Sequence, residues 1–213
     1  MHIPDGVLNV GTVVSTAVVS AGGVANAVRI AGKRLGEKQV PLMGILAAFV
    51  FAAQLLNFPV PFAGVSGHFL GVALCAILLG PWAMVIIVFL VLLAQCLIFQ
   101  DGGVFALGTN VFNMAIVGGM GSYLFYWLGL KVFGNKTRSK IFMAFIAAWL
   151  SVVLAAIACS LELVISGTAA FGIIMPAMFG SHAIIGIAEG VITVAALSMI
   201  RGVRKDLLEM EKI

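Results

Sequence analysis

The chain begins Met1-His2-Ile3-Pro4-Asp5-Gly6, and a histidine in second position has a chemistry open to no other. The α-amine of Met1, the amide nitrogen of His2 and the His2 ring can all reach one metal ion. Amine and amide close a five-membered chelate ring; amide and the nearer ring nitrogen close a six-membered one. The three nitrogens then lie in a plane, and a fourth from another imidazole completes a square-planar set suited to Ni2+ or Cu2+. The chelate needs an unblocked amine on Met1, and a bulky second residue such as histidine normally protects the initiator methionine from removal. Pro4 and Gly6 read as a rigid turn that folds the first residues back toward the rest of the chain.

The other histidines are His68 and His182. His68 is the better fourth ligand, because Val65-Ser66-Gly67-His68 is a Gly/Ser approach where backbone can come close. His182 admits two readings, a further ligand or a helix-start histidine at the lipid–water interface. Asp101, Thr109, Asn110 and Asn113 cluster near one loop and could orient the imidazoles or hold the N-terminus. Helix capping is the plainer reading of Thr109 and Asn110. Asn113 and Gln95 lie inside apolar runs, so each needs a buried partner. Glu189 follows His182 by seven residues and shares its helix face. A carboxylate there could bond the N-terminus, relay a proton, pair with another helix, or sit protonated as a structural group. Glu162 is expected near the outer end of the sixth helix and is less telling.

The elements that must position these residues are membrane spans. Of 213 residues, 62% are hydrophobic and 9% charged, against about 25% charged in soluble domains. At roughly 20 residues per span the chain has room for about seven. The 12 Lys and Arg fall in three groups: Arg29, Lys33, Arg34 and Lys38; Lys131, Lys136, Arg138 and Lys140; Arg201, Arg204, Lys205 and Lys212. With all three groups cytoplasmic, the positive-inside rule holds throughout. One pass precedes Arg29. Apolar runs at 41–56, 68–79, 82–99 and 111–129 give four more, and runs at 141–165 and 182–200 two more. The expectation is an all-α integral membrane protein, a single transmembrane domain over 1–213, with the N-terminus outside and the C-terminus cytoplasmic. The 68–79 run is short and should be tilted, bent or buried, and Gly80-Pro81 should be a tight joint that starts the next helix.

This topology puts outer loops at 57–67, 100–110 and 166–181, and all three histidines on the outer side. The start is not a signal peptide, because no basic residue precedes the first apolar run. The basic residues mark topology and do not suggest nucleic acid. Cys75, Cys96 and Cys159 have no paired spacing and read as packed thiols. Gly44, Ala48 and Ala52 form a small-residue ladder, either for internal packing or for docking another subunit. Arg204–Ile213 reads as an amphipathic tail. Gly129–Thr137 nearly matches a phosphate-binding loop, but Asn135 intrudes and no strand precedes it, so no ATPase lies in this chain.

The segments MHIPDG, SGHFLG (66–71), QDGGVFALGTNVFNMAIVG (100–118) and GSHAIIGIAEGVIT (180–193) resemble the NikM/CbiM family, the substrate-binding S components of energy-coupling factor (ECF) transporters for nickel and cobalt. The resemblance covers most of the chain, with four motifs in the family's order. It implies seven helices with the N-terminus inserted into the bundle from outside. It also implies a metal site of Met1, His2 and His68, with Ser66 in the approach. The partners implied are a membrane coupling (T) subunit, two ATPase subunits and often a small accessory membrane protein, in the cell inner (plasma) membrane. Pro4-Asp5 looks more like the nickel members. The resulting expectation is a capture subunit for Ni2+, or Co2+, as transported substrate with no organic cofactor. A stand-alone divalent metal channel or secondary transporter is the first alternative. An intramembrane metalloenzyme is the second, and it lacks an HExxH-like constellation.

Overall fold

A computed structural model describes residues 1–34, 36, 39–59 and 66–203. The helices are α1 (Val10–Arg34), α2 (Gln39–Gln54), α3 (Val72–Leu79), α4 (Pro81–Phe99), α5 (Leu107–Val111), α6 (Gly121–Phe133), α7 (Thr137–Ile165) and α8 (Phe171–Val203). A π-helical segment, Phe112–Met120, joins α5 to α6, so 107–133 is one continuous helical stretch and the described residues hold seven such stretches. The expected tail at Arg204–Ile213, the basic residue Lys38 and residues 60–65 of the expected loop at 57–67 fall outside the described residues.

Five of the stretches are long and apolar enough to cross a membrane. They present large apolar side chains outward, among them Val10, Val18, Leu97, Ile98 and Ile184, as segments solvated by lipid do. α2 has 16 residues. α3 has eight, about 12 Å at 1.5 Å per residue, too short to span. It is buried from Val72 to Leu78 and packs against α4, α7 and the π segment, so protein rather than lipid is its solvent. Gly80 turns at φ 83° and Pro81 opens α4, as the Gly-Pro joint requires.

Four expectations are corrected. The fold is not purely α: β1 (Asn57–Pro59) pairs antiparallel with β2 (Ser66–His68), Asn57 opposite His68. His68 therefore sits on a strand, not at the start of the third helix. The last helix begins at Phe171, not near His182, and runs through Pro176. This early in the helix, the one backbone bond that Pro176 removes is offset by packing along α7, so the loop there shrinks to 166–170. His182 lies about three turns inside α8. Lastly, Gly44, Ala48 and Ala52 are exposed, so the ladder is not internal packing.

The helix ends nearest the N-terminal segment converge. Asn9 caps α1 by accepting from the N–H of Thr12 (2.8 Å) and donates to the carbonyl of Ile165 at the end of α7 (3.2 Å). α1 meets α5 through Thr16 and Thr109 hydroxyls (2.7 Å) and through Ser20, which donates to the Gly108 carbonyl (2.6 Å). Thr109 is thus a helix–helix contact and not a cap. A Cβ at Gly108 would lie 2.6 Å from Ala17 Cα, so only glycine allows this approach. Gly108→Ala is expected to force α1 outward at a cost of about 1–3 kcal/mol, read as a lowered melting temperature in detergent. Gly22→Ala, with open space around it, should melt unchanged.

Candidate metal centre

The N-terminus is docked by its own residues. Asp5 accepts three backbone hydrogen bonds, from Val104 (2.9 Å), Phe105 (2.9 Å) and Ala106 (3.0 Å). These N–H groups open the turn into α5, where a helix start favours a carboxylate. Asn110 holds Ile3 from both sides: its Oδ1 accepts from the Ile3 N–H (2.9 Å) and its amide donates to the Ile3 carbonyl (3.2 Å). The Gly103 N–H also donates to that carbonyl (2.9 Å). Gly6 turns the chain at φ 82°, and Thr168 donates to the Val7 carbonyl. Met1 and Ile3 end fully buried.

This docking carries His2 into the bundle, where its ring stacks on His68 with centroids 4.4 Å apart and planes 18° apart. Each histidine ring has one nitrogen engaged. His2 Nε2 meets Gln95 Oε1 on α4 (3.1 Å), His68 Nδ1 the Phe69 carbonyl (2.8 Å) and His182 Nδ1 the Met178 carbonyl (2.8 Å). At His68 and His182 the acceptor is a main-chain carbonyl, so the engaged nitrogen carries the proton and the other is bare, while His2 lies between the Gln95 side-chain amide and Asp101. Those other nitrogens, His2 Nδ1, His68 Nε2 and His182 Nε2, are buried without a hydrogen-bond partner. Each such orphan costs about 1–3 kcal/mol. Asp101 Oδ1 lies 3.3 Å from His2 Nδ1, close enough to pair with that nitrogen.

Electrostatics keep the donors ready. Burial lowers the Met1 amine from 8.0 to about 6, partly offset by Asp101. Burial, reinforced by that amine, lowers His2 to about 3. His68 is held well below its usual range by burial and then by the amine and His2, while burial raises Asp101. At neutral pH the amine and both rings are chiefly uncharged, the form that binds metal. Among the described residues no three His, Cys, Asp or Glu side chains converge on one point. An ion here would draw on main-chain nitrogen as well as imidazole. The stacked rings lie in near-parallel planes, so sharing one ion would require a ring to turn.

The remaining candidates divide. Gln95, Asp101 and Asn110 meet the N-terminal segment, as expected of groups that orient it. Asn113, in the π segment, instead donates to Glu162 Oε2 on α7 (2.6 Å), so it contacts no imidazole in this arrangement. Glu189 bonds the loop after His68. The Ser66 side chain lies outside the described residues. Sequence reasoning passed over Asp5 as an anchor and over Gln54, whose amide donates to the Leu70 carbonyl (3.1 Å). The signal for Gln54 was the same as for Gln95, a lone amide in an apolar run.

The family model described as "Cobalt uptake substrate-specific transmembrane region" matches residues 2–207. A protein of Archaeoglobus fulgidus, provisionally named a fused nickel transport protein NikMN, is 40% identical over 99% of this chain and 69% of its own length. The cobalt transport protein CbiM of Sorangium cellulosum is 31% identical over 98% of this chain and 95% of its own. A crystal structure of a truncated transition metal transporter superposes with a TM-score of 0.83 at 32% identity, covering 94% of this chain and 98% of that one.

Because Asn110 satisfies both backbone groups of Ile3, Asn110→Ala should release the N-terminus. Amine-reactive labelling at neutral pH, followed by mass spectrometry, should modify the Met1 amine slowly in the native chain and rapidly in the variant. Equal rates would mean that the docked arrangement does not persist in solution.

Proposed function

Because the chain belongs to the CbiM family of metal-uptake membrane proteins, we propose that it is the capture subunit of a multi-subunit importer for Ni2+, with Co2+ as the second candidate. The observation that carries this reading is the set of bare, buried imidazole nitrogens gathered at a docked N-terminus. The Met1 amine, the deprotonated His2 amide and His2 Nδ1 supply three ligands, and His68 Nε2 the fourth. Four nitrogens in a plane favour Ni2+ over hard cations such as Mg2+ and Ca2+. Asp101 offsets part of the charge that the ion brings.

Five of the seven helical stretches are long enough to cross a membrane, and the described basic residues Arg29, Lys33, Lys131, Lys136, Arg138, Lys140 and Arg201 lie at the helix ends away from the docked N-terminus, which fits a multi-pass protein of the inner membrane with the N-terminus outside and the C-terminus in the cytoplasm. Energy comes from ATPase partners through a membrane coupling subunit, since this chain carries no phosphate-binding loop. The outward-facing Gly44, Ala48 and Ala52 stripe fits helix docking by such a subunit. A self-sufficient channel or secondary transporter calls for an acidic path across the bilayer. The buried carboxylates Glu162 and Glu189 are each tied to a neighbouring amide, which favours the capture reading.

One residue added before Met1 moves the amine out of the chelate. Calorimetric titration with Ni2+ should then lose tight binding, whereas unchanged affinity would reject the N-terminal site. The pH dependence follows from proton counts. Above about pH 6 only the His2 amide proton is displaced, and affinity should fall about tenfold per unit as pH drops. Below about 6, where the buried amine protonates, a second proton competes and the slope should steepen to about a hundredfold per unit. A break near pH 8 would instead mark an exposed amine.

A further inference from the structure

The loop that follows His68 is held by a carboxylate from another helix. Glu189, 3% exposed on α8, accepts from the Leu70 N–H through Oε2 (3.0 Å) and from the Gly71 N–H through Oε1 (2.6 Å). Both oxygens act as acceptors. The Leu70 carbonyl is taken by Gln54 of α2, so Leu70 is pinned from opposite sides. Gly71 lies at φ 68°, and a Cβ there would come within 2.7 Å of Val50 Cγ2. The loop thus has one seat, pressed against α2.

The Leu70 N–H and the Phe69 carbonyl belong to one peptide group, which is planar and rigid. Its N–H donates to Glu189, and its carbonyl accepts from His68 Nδ1. Carboxylate, peptide and imidazole therefore form one continuous hydrogen-bonded chain ending at the bare Nε2. Metal-bound histidines commonly donate their other nitrogen to an oxygen that fixes the ring and raises its basicity. Here the oxygen is a main-chain carbonyl, and the carboxyl group behind it is one peptide away. Hydrogen bonds in such a chain polarise one another.

We infer that Glu189 is a positioning residue for metal capture: through the Phe69–Leu70 peptide it orients His68 and so sets the site's preference for an ion that accepts four nitrogens in a plane. The inference rests on His68 being the fourth ligand. With the clamp intact, His68 approaches from one direction and suits Ni2+. With the clamp gone, the ring wanders, and an ion content with tetrahedral ligands, such as Zn2+, loses less.

The test measures Ni2+ and Zn2+ affinity, and the visible spectrum of the Ni2+ complex, in the full chain and in Glu189→Gln, Glu189→Ala, His68→Ala and the double variant Glu189→Ala/His68→Ala. Glu189→Gln keeps the shape but turns an amide against an N–H donor. It should weaken Ni2+ binding about 10- to 100-fold, Zn2+ binding less, and shift the Ni2+ spectrum toward that of His68→Ala. The double variant should bind no more weakly than His68→Ala alone, and added imidazole should restore part of the spectrum in both. Trp149→Phe is the structural control. It removes the Trp149–Ala183 bond between α7 and α8 (3.0 Å), and should lower the melting temperature without altering the Ni2+/Zn2+ ratio. Equal losses for both ions in Glu189→Gln, or additive losses in the double variant, would overturn the inference while leaving the N-terminal chelate standing. An unchanged spectrum in His68→Ala would overturn the fourth-ligand assignment and this inference with it.

Discussion

Asn110 satisfies both backbone groups of Ile3 at once, and that pair of hydrogen bonds decides where the first residues of the chain can lie. In an apolar bundle an unpaired N–H or carbonyl has no water to turn to, so a buried N-terminal segment must find its partners within the protein. The chain supplies them at one place, the entry to α5. Asp5 takes the N–H groups that a helix start leaves unpaired, and Asn110, one turn further, takes Ile3. With these two anchors made, Met1 and His2 have nowhere to go but inward.

What the anchors deliver is a contradiction of polar bookkeeping. The buried amides and carboxylates at this end of the bundle are each paired through at least one atom, as Gln54 is with the Leu70 carbonyl and Asn113 with Glu162, although Gln54 Oε1, Gln95 Nε2, Asn113 Oδ1 and Glu162 Oε1 have no hydrogen-bond partner. The imidazoles are paired on one nitrogen and bare on the other. Rings fixed by one oxygen apiece, and lowered in basicity by burial, keep their lone pairs available across the physiological range. The same low-dielectric surroundings that make an orphan nitrogen costly make a metal ion its strongest remedy. The π-helical segment beside them is of the kind often found at functional sites. Here it carries Asn113 toward α7.

The buried helix α3 and the long helix α8 have complementary roles. α3 is too short to reach both faces and leaves room above it for the His68 loop. α8 passes alongside and contributes both His182 and Glu189. A histidine on a loop is ordinarily loose, but this loop is held by side chains from α2 and α8, so its position is fixed by the helices around it.

The sequence by itself determined the membrane class, the helical stretches and the histidine arithmetic. These depend on local pattern: apolar run length, the three basic clusters, a Gly-Pro joint, and a histidine placed where its own amide can chelate. It also marked Gln95, because an isolated polar group in an apolar stretch must have a partner, and Asp101 and Asn110, because they belong to a polar cluster near one loop. Only the tertiary structure decided who the partners are. Asn113 turned to Glu162, His68 moved from helix to strand, α8 began eleven residues ahead of His182, and Glu189 reached past its own helix to the His68 loop. The reason is physical. Periodicity records which face of an element is apolar, whereas a hydrogen bond between residues over a hundred positions apart, such as Glu189 and Leu70, depends on how separate helices pack, and no local pattern encodes that.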